Sequence, residues 1–359
     1  MQIRKSRIWQ PLLKLVLVGI LVAPVYPVNA EIKIPKAESN LFILDVSGST
    51  YSEKLWESLK SSVQEKLKQP FGNPMKTKGI PPRKPMDVSI TSITDNSQNS
   101  PIFNIVTLND SKEVWGVIDL TFKNAGPEKL LSVYESIFKE GGAWSAQAKV
   151  FDADKVVPPI FQSCLTSMNL SFSKDSYARN LDKSKTNAIS TVLCNKLVQI
   201  AQKYKSADDY FSNPICKKGN RCSDVAGAIF RATALAVDVK KRTSIYDDTK
   251  PRLCIAIASD MLHSTDTMLK NSSLNSRYLA QTEKTLDSAL ERGKEAAALI
   301  GVKFPEGITT RVDLIGVGSG PKPLPLERNS FLLKYWEGFF LESGIKVAAQ
   351  SKSLDKACS

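Results

Sequence analysis

The side chains best placed to do chemistry in this 359-residue chain are oxygen donors. Asp45-Val-Ser47-Gly-Ser49 follows directly on the apolar run Leu41-Phe-Ile-Leu44, and Ser259-Asp260 ends a second run, Leu253-Cys-Ile-Ala-Ile-Ala258. Ser223, followed by Asp224, precedes an apolar stripe at helical spacing, Val225, Ile229, Ala232, Ala236 and Val239. In an open α/β sheet, binding groups gather in the crevice beyond the carboxyl ends of the strands. Asp45, Ser47, Ser49, Ser223 and Asp260 are therefore expected to converge at one sheet edge. Hard oxygen ligands of this kind suit Mg²⁺ or Mn²⁺, with Ca²⁺ the weaker fit. The competing reading is structural: the same residue types make turns and cap helices, with Ser223 or Asp224 serving as a helix cap alone.

The elements that would carry these residues alternate in period. Leu41–Leu44 and Leu253–Ala258 read as buried parallel strands. Val88–Thr94 and Ile102–Leu108 read as strands separated by a polar turn, and Val114–Phe122 as a further strand. Leu55, Leu59, Val63 and Leu67 mark a helix that Pro70 ends, and a Pro/Lys/Gly-rich loop follows over residues 70–86. Glu128–Lys139 has helical spacing. From about 143 to 215 the pattern gives only short helical pieces. A helix is expected from Ser276 to Ile300, a strand from Val312 to Val317, and a last helix whose aromatic stripe Phe331–Phe340 belongs to the core. Strands alternating with helices predict a Rossmann-like, doubly wound α/β fold, its mostly parallel sheet flanked by helices, with an insertion in the middle.

Three of these stretches carry a resemblance. Asp45-Val-Ser47-Gly-Ser49 resembles the DxSxS motif of von Willebrand factor A domains. Ser223-Asp-Val-Ala-Gly-Ala-Ile is similar to that family's threonine loop, and Ile255-Ala-Ile-Ala-Ser-Asp260 to its strand ending in Asp. The resemblance implies a vWA-like domain over residues 31–359, elaborated at about 110–215, with a metal-ion-dependent adhesion site. It implies that Ser47 and Ser49 ligate the ion directly, that Ser223 takes the threonine's place, and that Asp45 and Asp260 hold bound waters. A carboxylate from a protein or cell-surface ligand would then complete the coordination sphere. Two departures stand out. Ser223 replaces threonine, and Met261 follows Asp260 where many members have Gly, so the loop there is expected to differ.

Composition narrows the class. The chain is 42% hydrophobic and 24% charged, which excludes wholesale disorder and a coiled-coil rod. Arg4, Lys5, Arg7 and Lys14, the apolar run Leu15–Val25 and the Val28-Asn29-Ala30 end have the layout of a signal peptide over residues 1–30. The expectation is a periplasmic or secreted protein with no stable membrane span after cleavage. The net charge of +13 is spread along the chain, and export argues against a nucleic-acid partner. The single histidine, His263, and the lack of any CxxC exclude zinc-finger and haem-attachment patterns. With no Gly-x-Ser-x-Gly elbow, His263 is expected to face solvent in a loop.

Six cysteines in an exported chain permit disulfides. Cys216 and Cys222 flank a short polar turn and are expected to pair. Cys254, inside a strand, is expected to stay a free thiol, and Cys164 with Cys194 is one further pairing left open. The leading functional expectation is a non-enzymatic binding or adhesion protein with a Mg²⁺-dependent site. Its alternatives are a metal-dependent hydrolase using the same crevice and a cell-envelope assembly factor with a purely structural ion.

Overall fold

Leu41-Phe-Ile-Leu44 is buried on both faces, which only an interior strand of a covered sheet allows. In the computed structural model it forms the middle of β1 (Glu38–Asp45). The structure describes residues 38–46, 86–110, 113, 161–162, 164–166, 182–212, 223–243, 251–263, 269, 272–319, 323–345, 347–351 and 358. The signal-peptide stretch, the helix expected after Tyr51, the loop that follows it, and the elements expected at 114–122 and 128–139 lie outside these residues.

β1 pairs in parallel with β2 (Met86–Ile93) on one side and with β4 (Arg252–Ala258) on the other. β3 (Phe103–Val106) adds antiparallel to β2; β5 (Thr309–Ile315) and β6 (Val347–Ser351) add in parallel beyond β4. The order across the sheet is β3-β2-β1-β4-β5-β6. The chain thus builds outward from β1 on one side and returns to its other edge at β4. The fold is α/β, with a mostly parallel sheet.

Side-chain alternation sends Leu41 and Ile43 to one face and Phe42 and Leu44 to the other. The first face packs with α2 (Val225–Thr243), α3 (Ser276–Thr282), α4 (Leu286–Ile300) and α5 (Leu326–Glu342) in one apolar cluster. Trp336, Tyr335, Phe339 and Phe340 of α5 are fully buried there, as the aromatic stripe predicts. α4 and α5 meet closely because both carry glycine at the contact. A Cβ on Gly293 would lie 1.8 Å from the Tyr335 carbonyl oxygen, and one on Gly338 would lie 2.0 Å from that of Leu290.

Three elements differ from the sequence expectation. Within the middle region, residues 183–211 form one 29-residue helix, α1 (Lys183–Phe211), longer than the short pieces expected there. Asp182 caps it, and an ion pair between Lys196 and Asp110 (3.1 Å) fixes it beside the end of β3. The helix expected over 276–300 breaks at Glu283–Thr285, because the Thr285 side chain caps a new start by accepting from the Ser288 amide. The Arg328 guanidinium holds the break by donating to the Glu283 carbonyl. Strand β6 was not foreseen.

Among the described residues, two disulfides close the fold. Cys164–Cys194 ties a short helical segment to α1. Cys254 is bonded to Cys358, which overturns the expectation of a free thiol. The sheet assignment survives this: Cys254 stays within β4, and the chain end reaches it beside β5 Asp313. Cys216 and Cys222 lie outside the described residues. Among the described residues no helix is long and apolar enough to cross a membrane.

Candidate metal centre at the strand-order reversal

The reversal of strand order leaves the carboxyl ends of β1 and β4 side by side, where an α/β sheet opens a crevice. Asp45 is the last residue of β1, and Asp260 stands two residues beyond β4. Ser223 enters from the start of α2, which packs against β1, β2 and β4. All three are at least 98% buried. The Ser223 hydroxyl donates to Asp45 Oδ2 at 3.4 Å, so residues 178 positions apart meet in one place. Of the five residues expected to converge, these three are described; Ser47 and Ser49 lie outside the described residues.

The electrostatics of the pair are those of two carboxylates crowded together. Burial pushes the Asp260 carboxyl up to about 6, and the neighbouring charge of Asp45 pushes the same way. The Leu262 amide, which donates to Asp260 Oδ1 at 2.9 Å, and the Arg277 guanidinium pull it back. A divalent cation between the two would relieve this repulsion. The donor set of carboxylates and hydroxyls fits Mg²⁺ or Mn²⁺.

Neighbouring Asp224 has a different task. Its Oδ1 accepts from the Gly227 amide at 2.9 Å and caps α2, while Oδ2 accepts from the Ser97 amide at 3.0 Å. Its own amide donates to the Thr94 carbonyl at 2.8 Å, which locks the loop after β2 to the start of α2. Glycine is needed one turn on, since a Cβ at Gly227 would lie 2.0 Å from the Asp224 carboxylate. Capping thus falls to Asp224, and the Ser223 hydroxyl is directed at Asp45.

His263 contradicts the expectation of a solvent-facing residue. It is fully buried, with Nδ1 3.9 Å from Asp224 Oδ1, and its amide donates to Ser276 Oγ at 2.8 Å. The loop from β4 turns inward at this point, and the histidine goes with it.

Ser259 is the site residue that the sequence reading passed over. Its hydroxyl donates to Asp45 Oδ2 at 2.7 Å and accepts from the Met261 amide at 2.9 Å. Met261 is fully buried and has φ of 61°, the left-handed region that favours glycine. Its carbonyl accepts from Trp336 Nε1 at 2.9 Å and Ser276 Oγ at 3.0 Å. The one signal available beforehand was the Ser259-Asp260-Met261 sequence at the end of an apolar strand, and nothing local in it announces a left-handed Met261.

A second group of metal-type donors, Cys254, Asp313 and Cys358, also clusters in the interior. The two sulfurs are bonded to each other, so neither is available as a thiolate ligand. Asp313 already accepts from Arg311 Nε and Nη2 and from the Cys358 amide. This is a staple.

Compared with protein families, curated proteins and solved structures, the chain matches none of them.

Proposed function

We propose that this chain is an exported, non-enzymatic binding protein of the von Willebrand A type. In this reading it engages a carboxylate on a protein or cell-surface ligand through a Mg²⁺-dependent site. The observation that carries it is the meeting of Asp45, Ser223 and Asp260 at the point where the strand order reverses. Asp45, Ser47, Ser49, Ser223 and Asp260 are the proposed ion-binding set, with Mn²⁺ able to replace Mg²⁺. Few of these donors carry charge, which leaves the cation electrophilic toward an incoming carboxylate. The two disulfides support a periplasmic or secreted location, where such bonds persist. The hydrolase alternative gains nothing from His263, which is buried against Asp224 on the core side of the loop.

The test is calorimetric titration of the full mature chain with Mn²⁺. One weak site is expected, lost in both Asp45→Ala and Asp260→Ala while far-ultraviolet circular dichroism stays unchanged. Wild-type affinity in those two variants would overturn the reading.

A further inference from the structure

Ser259 has one hydroxyl proton and two polar neighbours, and their chemistry fixes where the proton goes. The Met261 amide can only donate, so Ser259 Oγ accepts from it at 2.9 Å. The proton is then directed to Asp45 Oδ2, at 2.7 Å, a distance in the short range of hydroxyl–carboxylate bonds. That oxygen also accepts from the Ser223 hydroxyl, at 3.4 Å. The amide aiming Ser259 is itself held: the left-handed turn at Met261 is pinned through its carbonyl by Trp336 Nε1 and Ser276 Oγ. A buried non-glycine residue with positive φ is costly and persists only where its surroundings over-determine it. Here three hydrogen bonds do so, and one of them ends on Ser259.

We propose that Ser259 is the positioning residue of the site, a hydroxyl set by the Met261 turn that fixes the rotation of the Asp45 carboxylate. The proposal rests on the ion-binding reading of Asp45, Ser223 and Asp260. Ser259 does not touch the ion; it holds Asp45 in one orientation before the ion arrives. Ordering a carboxylate in advance removes that cost from binding, and the loss of such a partner weakens metal affinity by about 10- to 100-fold.

The experiment is Mn²⁺ titration of Ser259→Ala, Ser259→Thr and Asp45→Ala in the full mature chain, each held well below its melting midpoint. Ser259→Ala is expected to bind in the range of 10- to 100-fold more weakly, and Ser259→Thr, which restores the hydroxyl, at close to wild-type affinity. A purely structural role would lower the midpoint in EDTA and leave the affinity of the folded protein alone. If alanine prevents folding, Ser259→Cys keeps the size with a weak donor, and reduced affinity is expected again. Wild-type affinity in Ser259→Ala or Ser259→Cys, with binding lost in Asp45→Ala, overturns the positioning role and leaves the ion site standing. Wild-type affinity in Asp45→Ala overturns both.

Discussion

Asp313 and the Asp45–Asp260 pair are all buried carboxylates in one sheet, yet their surroundings are opposite. Asp313 on β5 is 0% exposed and is matched inside the chain by the Arg311 fork and the Cys358 amide. Asp45 and Asp260 stand at the neighbouring ends of β1 and β4, and the charge of Asp45 adds to the cost that burial puts on ionising Asp260. A carboxylate compensated internally holds the fold together. Asp45 and Asp260 are instead held by neutral donors, the Ser223 and Ser259 hydroxyls and the Leu262 amide, and a bound cation would offset the charge they share. The first group sits beside a disulfide that anchors the chain end, the second beside the loops that define the crevice.

The largest effect expected from this contrast is on the stapled side. Replacing Cys254 and Cys358 by serine removes a bridge between residues 104 positions apart. A loss of roughly 2–5 kcal/mol is expected in urea or thermal unfolding, with little change in Mn²⁺ affinity. Loss of metal binding in that variant would break the separation between the two regions.

A matched pair of substitutions sharpens it. Asp260→Asn keeps an oxygen for the Leu262 amide but removes the repelling charge, so the metal-free protein should gain stability at neutral pH. The sign follows from linkage. The Asp260 carboxyl stands at about 6 in the folded chain, above its ordinary 3.8, so the folded state holds the proton more tightly than the unfolded one. Its contribution is fully present below pH 3.8 and is lost as pH rises through 6. The loss comes to about 3 kcal/mol at most. Urea melts in EDTA from pH 4 to 7, read as the difference between wild type and Asp260→Asn, should show this slope, and saturating Mg²⁺ should flatten it. Asp313→Asn should act in the opposite direction and cost roughly 1–3 kcal/mol, because it weakens the hold on Arg311 and on the Cys358 amide. Two stabilising or two destabilising results would erase the distinction.

How far these regions can be read in the sequence depends on the range of the forces behind them. β1, β4 and α5 announce themselves because continuous apolar runs and an aromatic stripe are local signals of burial. α1 hides its stripe of Ile189, Leu193, Leu197, Ile200 and Tyr204 among lysines and serines, so its length becomes plain only when β3 packs on it. The break at Glu283–Thr285 depends on Arg328, 45 residues away. Cys254 meets Cys358 beside Asp313 of β5, across a separation of 104 residues that no local spacing encodes. The site follows the same rule. Asp45 and Asp260 are legible as strand ends, whereas Ser259 gains its meaning from the turn at Met261 and from Trp336, a residue of the last helix.

The smallest expected effect is the finest test, because it separates two neighbouring residues. Ser223 and Asp224 both stand at the start of α2, and both are residue types that cap helices. The hydrogen bonds divide the work: Asp224 holds the Gly227 and Ser97 amides, and Ser223 turns to Asp45. Asp224→Ala should therefore cost stability, about 1–2 kcal/mol for the lost cap, with or without Mg²⁺. Ser223→Ala should leave the metal-free melting midpoint nearly unchanged and weaken Mn²⁺ binding. Ser223→Thr should restore that binding, since the hydroxyl returns and the added methyl narrows its rotamers. Thermal melts and Mn²⁺ titrations of the three variants decide the matter. A Ser223→Ala protein that loses stability but keeps its affinity would make Ser223 a second cap and remove it from the site.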